Sequence, residues 1–230
     1  MWSVCASSET GACRRVNEDR AFADGAKGLI AVFDGAFENG AAAEMGLQVT
    51  RALSAADIAQ GEPTLKRLAD DIHAKVQSAK LPTCATTLLV ATIREQTIHL
   101  AHVGDCRAYL FRAGRLTQLT TDHTLMQELV ARGEISVDDA DRAINRDVIT
   151  RVLGFGDYTT PDMLEVEAQP GDIVLLCTDG VWKALAHDEM VSALEAGPFE
   201  ECAARITQLS SSPGRDNSSV AALHISSSPS

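Results

Sequence analysis

Leu29-Ile30-Ala31-Val32-Phe33-Asp34-Gly35 is a short apolar run that stops on a carboxylate and a glycine. Its length suits one buried strand. Alone, Asp-Gly after a strand reads as a turn, because Asp hydrogen-bonds its own backbone and Gly accepts positive φ. The arrangement returns, however. Asp172-Ile173-Val174-Leu175-Leu176-Cys177-Thr178-Asp179-Gly180 repeats it, and Leu100-Ala101-His102-Val103-Gly104-Asp105 ends a third run on an acid. Asp216-Asn217 stands just before a fourth run, Ser219 to Ile225. If these strands share a core, their ends gather several carboxylates at one edge. Two unit charges ~4 Å apart repel by roughly 4 kcal/mol at an effective dielectric of about 20. Such a cluster must protonate, spread apart or hold cations. Carboxylate and carbonyl oxygens suit magnesium, manganese or calcium rather than zinc, so a hard-metal site on strand ends is expected.

The chain has 230 residues and a formal net charge of −12. That charge argues against nucleic acid, whose binding rests on Lys and Arg at phosphates, and against anionic membrane. A hydrophobic content of 45% with only 4% aromatics predicts a sizeable aliphatic core. The six cysteines include no C-x-x-C pair, so zinc-site spacing is absent. Met1-Trp2-Ser3-Val4 does not open a signal peptide, and no apolar run approaches the roughly 20 residues of a membrane helix. A reducing, cytoplasmic setting is expected.

Along the chain, Trp2–Ser8 reads as a strand, and Arg14–Arg20 as a charged loop. Ala41–Ala56 has helical spacing through Met45, Val49 and Leu53, and a second helix runs from Pro63 through Ala79. Pro82 breaks that pattern. Thr86–Ile93, Thr97–Val103 and Arg107–Arg112, joined by short links, read as one antiparallel meander, and Gly114 turns the chain toward Leu116–Leu119. Thr124 and Ser136 are placed to cap helices, and Asp138–Arg151, rich in charge, is expected to be a mobile flap. After the strand Ile173–Cys177 come helices over His187–Glu195 and from Pro198, the latter with Phe199, Cys202, Ile206 and Leu209 at helical spacing. A loop over Ser210–Arg215 then delivers Asp216 to the last strand. His73, His102 and His123 read as structural. The fold class expected is α+β, two mostly antiparallel sheets with helices outside. Residues 1–225 form one domain in this reading, and 226–230 a flexible tail.

The order of motifs resembles a family, the metal-dependent type 2C protein Ser/Thr phosphatases in their compact bacterial form. The matching pieces are Arg14-x-x-Asn17-Glu18-Asp19, Val32-Phe33-Asp34-Gly35, Ala85-Thr86-Thr87, His102 to Leu110, Leu119 to His123, Leu176 to Gly180 and Asp216-Asn217. The resemblance implies a four-layer α-β-β-α sandwich and two core Mn2+ or Mg2+ ions. It implies that Asp34 bridges the two, that the Gly35 carbonyl faces one of them, and that Asp179 and Asp216 complete the other. Asp105 with Asp179 would hold a third, weaker ion. Arg14 would grip the substrate phosphate, and Glu18 and Asp19 would act mostly through waters on the ions, with Thr87 nearby. The implied partners are a phosphorylated protein substrate and an opposing bacterial Ser/Thr kinase, with the chain a monomer.

Rival chemistries fail on the same residues. An aspartyl-nucleophile phosphatase would need its nucleophile where Val32 stands, and the chain has no G-x-x-x-x-G-K-[ST] loop and no C-x5-R loop. One departure is local. Where the bacterial family has a small or apolar residue and Gly-Gly-His after Asp-Gly, this chain reads Ala36-Phe37-Glu38-Asn39-Gly40. Ala36 cannot serve as the general acid that a His there provides in some members. A phosphoprotein-binding pseudophosphatase without turnover is the alternative; Asp34, Asp179, Asp216 and Arg14 together argue against it.

Overall fold

Strands apolar on both sides need a layer on each side, and the chain supplies them. The computed structural model describes residues 1–36, 40–56, 62–81, 83–211 and 216–226. In order, the first elements are β1 (Trp2–Glu9), β2 (Arg20–Asp24), β3 (Leu29–Phe33) and the short β4 (Gly35–Ala36). The helices α1 (Ala41–Ala56) and α2 (Glu62–Ser78) follow, then β5 (Ala85–Thr86), β6 (Leu88–Arg94) and β7 (Thr97–Val103). Next come β8 (Arg107–Arg112), β9 (Arg115–Gln118), α3 (Leu125–Ala131), α4 (Val137–Arg142) and β10 (Asp162–Glu167). The last are β11 (Ile173–Cys177), α5 (Asp179–Trp182), α6 (His187–Glu195), α7 (Cys202–Ser211) and β12 (Ser218–Ile225).

Two five-stranded antiparallel sheets form, ordered β1-β12-β11-β8-β9 and β10-β7-β6-β3-β2. Alternation along each strand sorts the layers. Ile30 and Val32 of β3 meet Val174, Leu176, Ala221 and Leu223 between the sheets. Leu29, Ala31 and Phe33 point the other way, onto Leu47, Leu65, Leu68 and Ile72 of α1 and α2. Leu175, Cys177, Val220 and Ala222 pack outward onto Met190, Leu194, Cys202 and Ile206 of α6 and α7. The α-β-β-α sandwich expected from the resemblance is the fold observed. Among the described residues, no helix is long and apolar enough to cross a membrane.

Several local readings change. β7 and β8 lie in different sheets, so Gly104-Asp105-Cys106 is a crossing between layers rather than a hairpin link. Gly104 makes that crossing at φ +114, where a Cβ would stand 2.5 Å from Thr87. Thr87 divides the expected strand from Thr86 into β5 and β6. β2, β10 and α5 were not expected. Leu209 does not continue the buried stripe of α7; it is exposed. The segment expected as a flap is anchored by Leu125 N–H to the Val148 carbonyl at 2.9 Å and by Thr150 N–H to that of His123 at 2.8 Å. The departures at Phe37, Glu38 and Asn39, the break at Pro82, and most of the expected loop and tail lie outside the described residues.

Candidate active site

Three strand ends and one loop meet at an edge of the sandwich. β11 and β12 are antiparallel neighbours with Cys177 opposite Val220, so Asp179 leaves one strand where Asp216 enters the other. β3, in the facing sheet, ends on Asp34. Glycine permits the approach. A Cβ on Gly180 would stand 1.9 Å from the Asn217 carbonyl oxygen, and one on Gly11 would stand 2.0 Å from that of Asp216.

Hydrogen bonds lock the loop before β2 to these ends. Asn17 Oδ1 accepts the Asp19 N–H at 3.0 Å, and Asn17 Nδ2 donates to Ser8 Oγ at 2.8 Å. Asn217 Nδ2 donates to the Val16 carbonyl at 3.0 Å. The Thr178 hydroxyl donates to Asp19 Oδ2 at 2.7 Å and accepts the Ser219 N–H at 3.0 Å. Asp34 is fixed through its backbone: its N–H donates to Thr87 Oγ1 at 2.8 Å, and its carbonyl accepts the Thr87 N–H at 2.9 Å.

Arg14, Glu18, Asp34, Gly35, Ala36, Asp179 and Asp216 line one pocket of about 350 Å³. Asp19 lies behind it, 3% exposed. Asp105 lines a neighbouring cavity of about 300 Å³ with Asp122, Asp147, Trp182 and Lys183. Burial, then the charges of Asp19, Asp179, Asp105 and Asp216, hold the Asp34 carboxyl well above the ordinary range. Burial pushes Asp19 up to about 7 against the hydrogen bond from Thr178, and the Asp179 and Asp216 charges add to the rise. Burial and Asp179 likewise push Asp105 up to about 7.

Two side-chain cations sit on this acidic rim. Arg14 Nη2 lies 2.7 Å from Asp216 Oδ1 and 2.8 Å from Oδ2, with Nη1 3.5 Å from Glu18. Lys183 Nζ lies 2.8 Å from Asp179 Oδ2. With the acids held in this way, no three acidic, His or Cys side chains among the described residues close around a single point. Arg14 therefore faces an internal carboxylate in this structure rather than standing free.

The family "Protein phosphatase 2C" matches residues 6–207. The chain belongs to the protein phosphatase 2C family. It is 32% identical over 230 residues to the serine/threonine protein phosphatase PstP of Mycobacterium tuberculosis, covering 96% of this chain and 44% of that protein. The chain spans about half the length of the curated relatives it matches. The crystal structure of M. tuberculosis PstP/Ppp superposes with a TM-score of 0.89 at 28% identity, over 98% of this chain and 99% of that one. The PstP catalytic domain in complex with two manganese ions gives a TM-score of 0.83 at 28% identity, over 98% and 99% of the two chains.

Asp216 lies beyond the segment matched to phosphatase 2C, yet the fold returns it to the pocket. The donor set fits hard ions: among the described residues, carboxylates and no His or Cys line the pocket. The buried Asp105 Oδ1 has no hydrogen-bond partner. His73, His102 and His123, read as structural, are not among the residues that line the pocket. His73 Nδ1 accepts the Gly154 N–H at 3.1 Å and His123 Nδ1 that of Gly104 at 3.0 Å, while His102 is buried. Sequence reasoning missed Thr178 as the anchor of Asp19, and Lys183. For the lysine a signal existed, since it stands one helical turn after Asp179.

Proposed function

We propose that the chain is a manganese- or magnesium-dependent protein serine/threonine phosphatase that hydrolyses phosphoserine and phosphothreonine on protein substrates. The observation that carries this reading is the single pocket shared by Arg14, Glu18, Asp34, Gly35, Asp179 and Asp216. Residues 1–225 are taken as one catalytic unit. Asp34, Gly35, Asp179 and Asp216 would hold two ions, which supply an activated water near neutral pH and offset charge on the phosphoryl oxygens.

The chain's own residues do the rest. The Thr87 backbone and hydroxyl fix Asp34 in place. Thr178 orients Asp19 behind the pocket, where its carboxylate would act on the ions through water. Glu18 stands at the rim beside Arg14. Arg14 turns from Asp216 to the phosphate, for which a guanidinium has matching donors. No side chain is needed as a nucleophile, and Ala36 supplies no general acid.

The opposing enzyme is a Ser/Thr kinase, and the chain works as a cytoplasmic monomer without nucleic acid, in keeping with its net charge of −12. The test is hydrolysis of p-nitrophenyl phosphate and a phosphothreonine peptide with manganese, with and without chelator. Turnover that disappears with chelator supports the reading. Turnover that survives complete metal removal would overturn it, and peptide binding without turnover would make the chain a binding module.

A further inference from the structure

The resemblance implied a third, weaker ion held by Asp105 and Asp179. On Asp179, one of the two acids that would hold that ion, the structure has a side-chain cation. Lys183 follows Asp179 by one turn, at the end of α5, and its Nζ lies 2.8 Å from Asp179 Oδ2 and 2.6 Å from Asp147 Oδ1. Asp105, Asp147 and Lys183 line the same cavity. We propose that the Lys183 ammonium is a built-in cation that takes the place of the third ion, so that this chain holds two divalent ions and no third.

The position of the ammonium is held on several sides. Lys183 Nζ stands 5.2 Å from the Trp182 ring centroid, and Arg107 lies 3.5 Å from the same ring. The indole is itself fixed, because Trp182 Nε1 donates to the Asp105 carbonyl at 3.1 Å. A lysine with an ordinary pKa of about 10.4 is charged at neutral pH without any help from its surroundings. It is also tethered, and a cation on a short stem competes at an effective concentration of about millimolar or more. A weak divalent site loses that competition, whereas the core site shares only Asp179 with the lysine and is held also by Asp34, Gly35 and Asp216. Asp105 Oδ1 makes no hydrogen bond, so the lysine answers its charge across space rather than by a direct bond. Asp147 brings the expected flap into the same cage of carboxylates, a link that an ion held by Asp105 and Asp179 alone would not make.

This inference rests on the two-ion reading above, and its test separates the two. Manganese is counted by anomalous diffraction from crystals at saturating Mn2+, and in solution by electron paramagnetic resonance of the free ion. The full chain is compared with Lys183→Gln, which removes the charge and leaves a shorter polar side chain, and Lys183→Asp, which adds a carboxylate ligand. Near-UV circular dichroism confirms that each variant is folded. The expected result is two ions in the unaltered chain and a third, between Asp105 and Asp179, in Lys183→Asp and more weakly in Lys183→Gln. A third ion in the unaltered chain with Lys183 swung aside would overturn the inference and leave the two-ion reading standing. Folded variants that both stay at two ions would overturn it as well. Absence of manganese at Asp34 and Asp216 would sink the two-ion reading and this inference with it.

Discussion

Arg14 shows what one residue's spacing can and cannot say. Its distance from Asn17-Glu18-Asp19 separates it from Arg15, but its contact with Asp216 spans 202 positions and is invisible in the sequence. That contact changes the expectation for substitutions. Arg14→Ala removes a charge-assisted phosphate contact of about 1.5–3 kcal/mol, a loss of roughly 10- to 150-fold in kcat/KM. It also frees Asp216, so manganese affinity should hold or tighten. Arg14→Lys keeps the charge without the planar fork and should fall between, while Arg15→Ala should change little. Steady-state kinetics and manganese titrations of the variants side by side decide this; equal, minor losses at Arg14 and Arg15 would refute the assignment. Asp34→Asn tests the other half of the site. It removes a carboxylate that burial and four neighbouring acids disfavour, so turnover should vanish while the metal-free protein becomes more stable. The gain should read as a rise in Tm, at about 2–4 °C per kcal/mol for a chain of this size. Full activity, or a metal-free protein less stable than the parent, would exclude the bridging role.

At the scale of elements, strands buried on both faces were legible because Leu29–Phe33 and Ile173–Cys177 are apolar throughout, and no partner was needed to read them. β10 was not legible. Asp162-Met163-Leu164-Glu165-Val166-Glu167 pairs only with β7 and leaves its acidic residues outward, so its apolar signal is weak. The passage from β7 to β8 failed for another reason. A three-residue link with glycine suits a hairpin as well as a crossing, and only the registers of both strands with other partners distinguish them. The carboxylate ends were visible one by one; that Gly180 lets β11 and β12 bring two of them together was not. Gly180→Ala would place a methyl 1.9 Å from the Asn217 oxygen, against backbone that cannot swing aside. Overpacking of this kind costs about 1–3 kcal/mol. Since the displaced segment carries Asp216 and the substituted turn carries Asp179, manganese affinity and Tm should fall together. A variant with lowered Tm but unchanged manganese affinity would show that the close approach serves folding alone.

For the whole molecule, the acidic edge makes stability depend on pH in a way that metal should reverse. Asp19 and Asp105, each pushed up to about 7, and Asp34, held well above its ordinary value, bind protons more tightly folded than unfolded. Groups of this kind stabilise the fold fully below their unfolded values, near pH 4, and that contribution is lost as pH rises through about 7. Glu44, held low by the hydrogen bond from Arg20, and Asp147, held low by that from Lys183, act in the opposite sense and lose their contribution as pH falls below the usual carboxylate range. The metal-free protein should therefore have its highest Tm near pH 5 and lose stability toward pH 8. Each tenfold preference of the folded state for a proton is worth ~1.4 kcal/mol, so the decline should amount to several degrees. Divalent ions need the carboxylates deprotonated, so manganese affinity rises with pH over the same window. Calorimetric melts from pH 5 to 8 should fall in chelator and stay level or rise with saturating manganese. Curves in chelator that rise toward pH 8 would mean that Arg14 and Lys183 already neutralise the cluster, and that the strand ends gather no excess charge for an ion to offset.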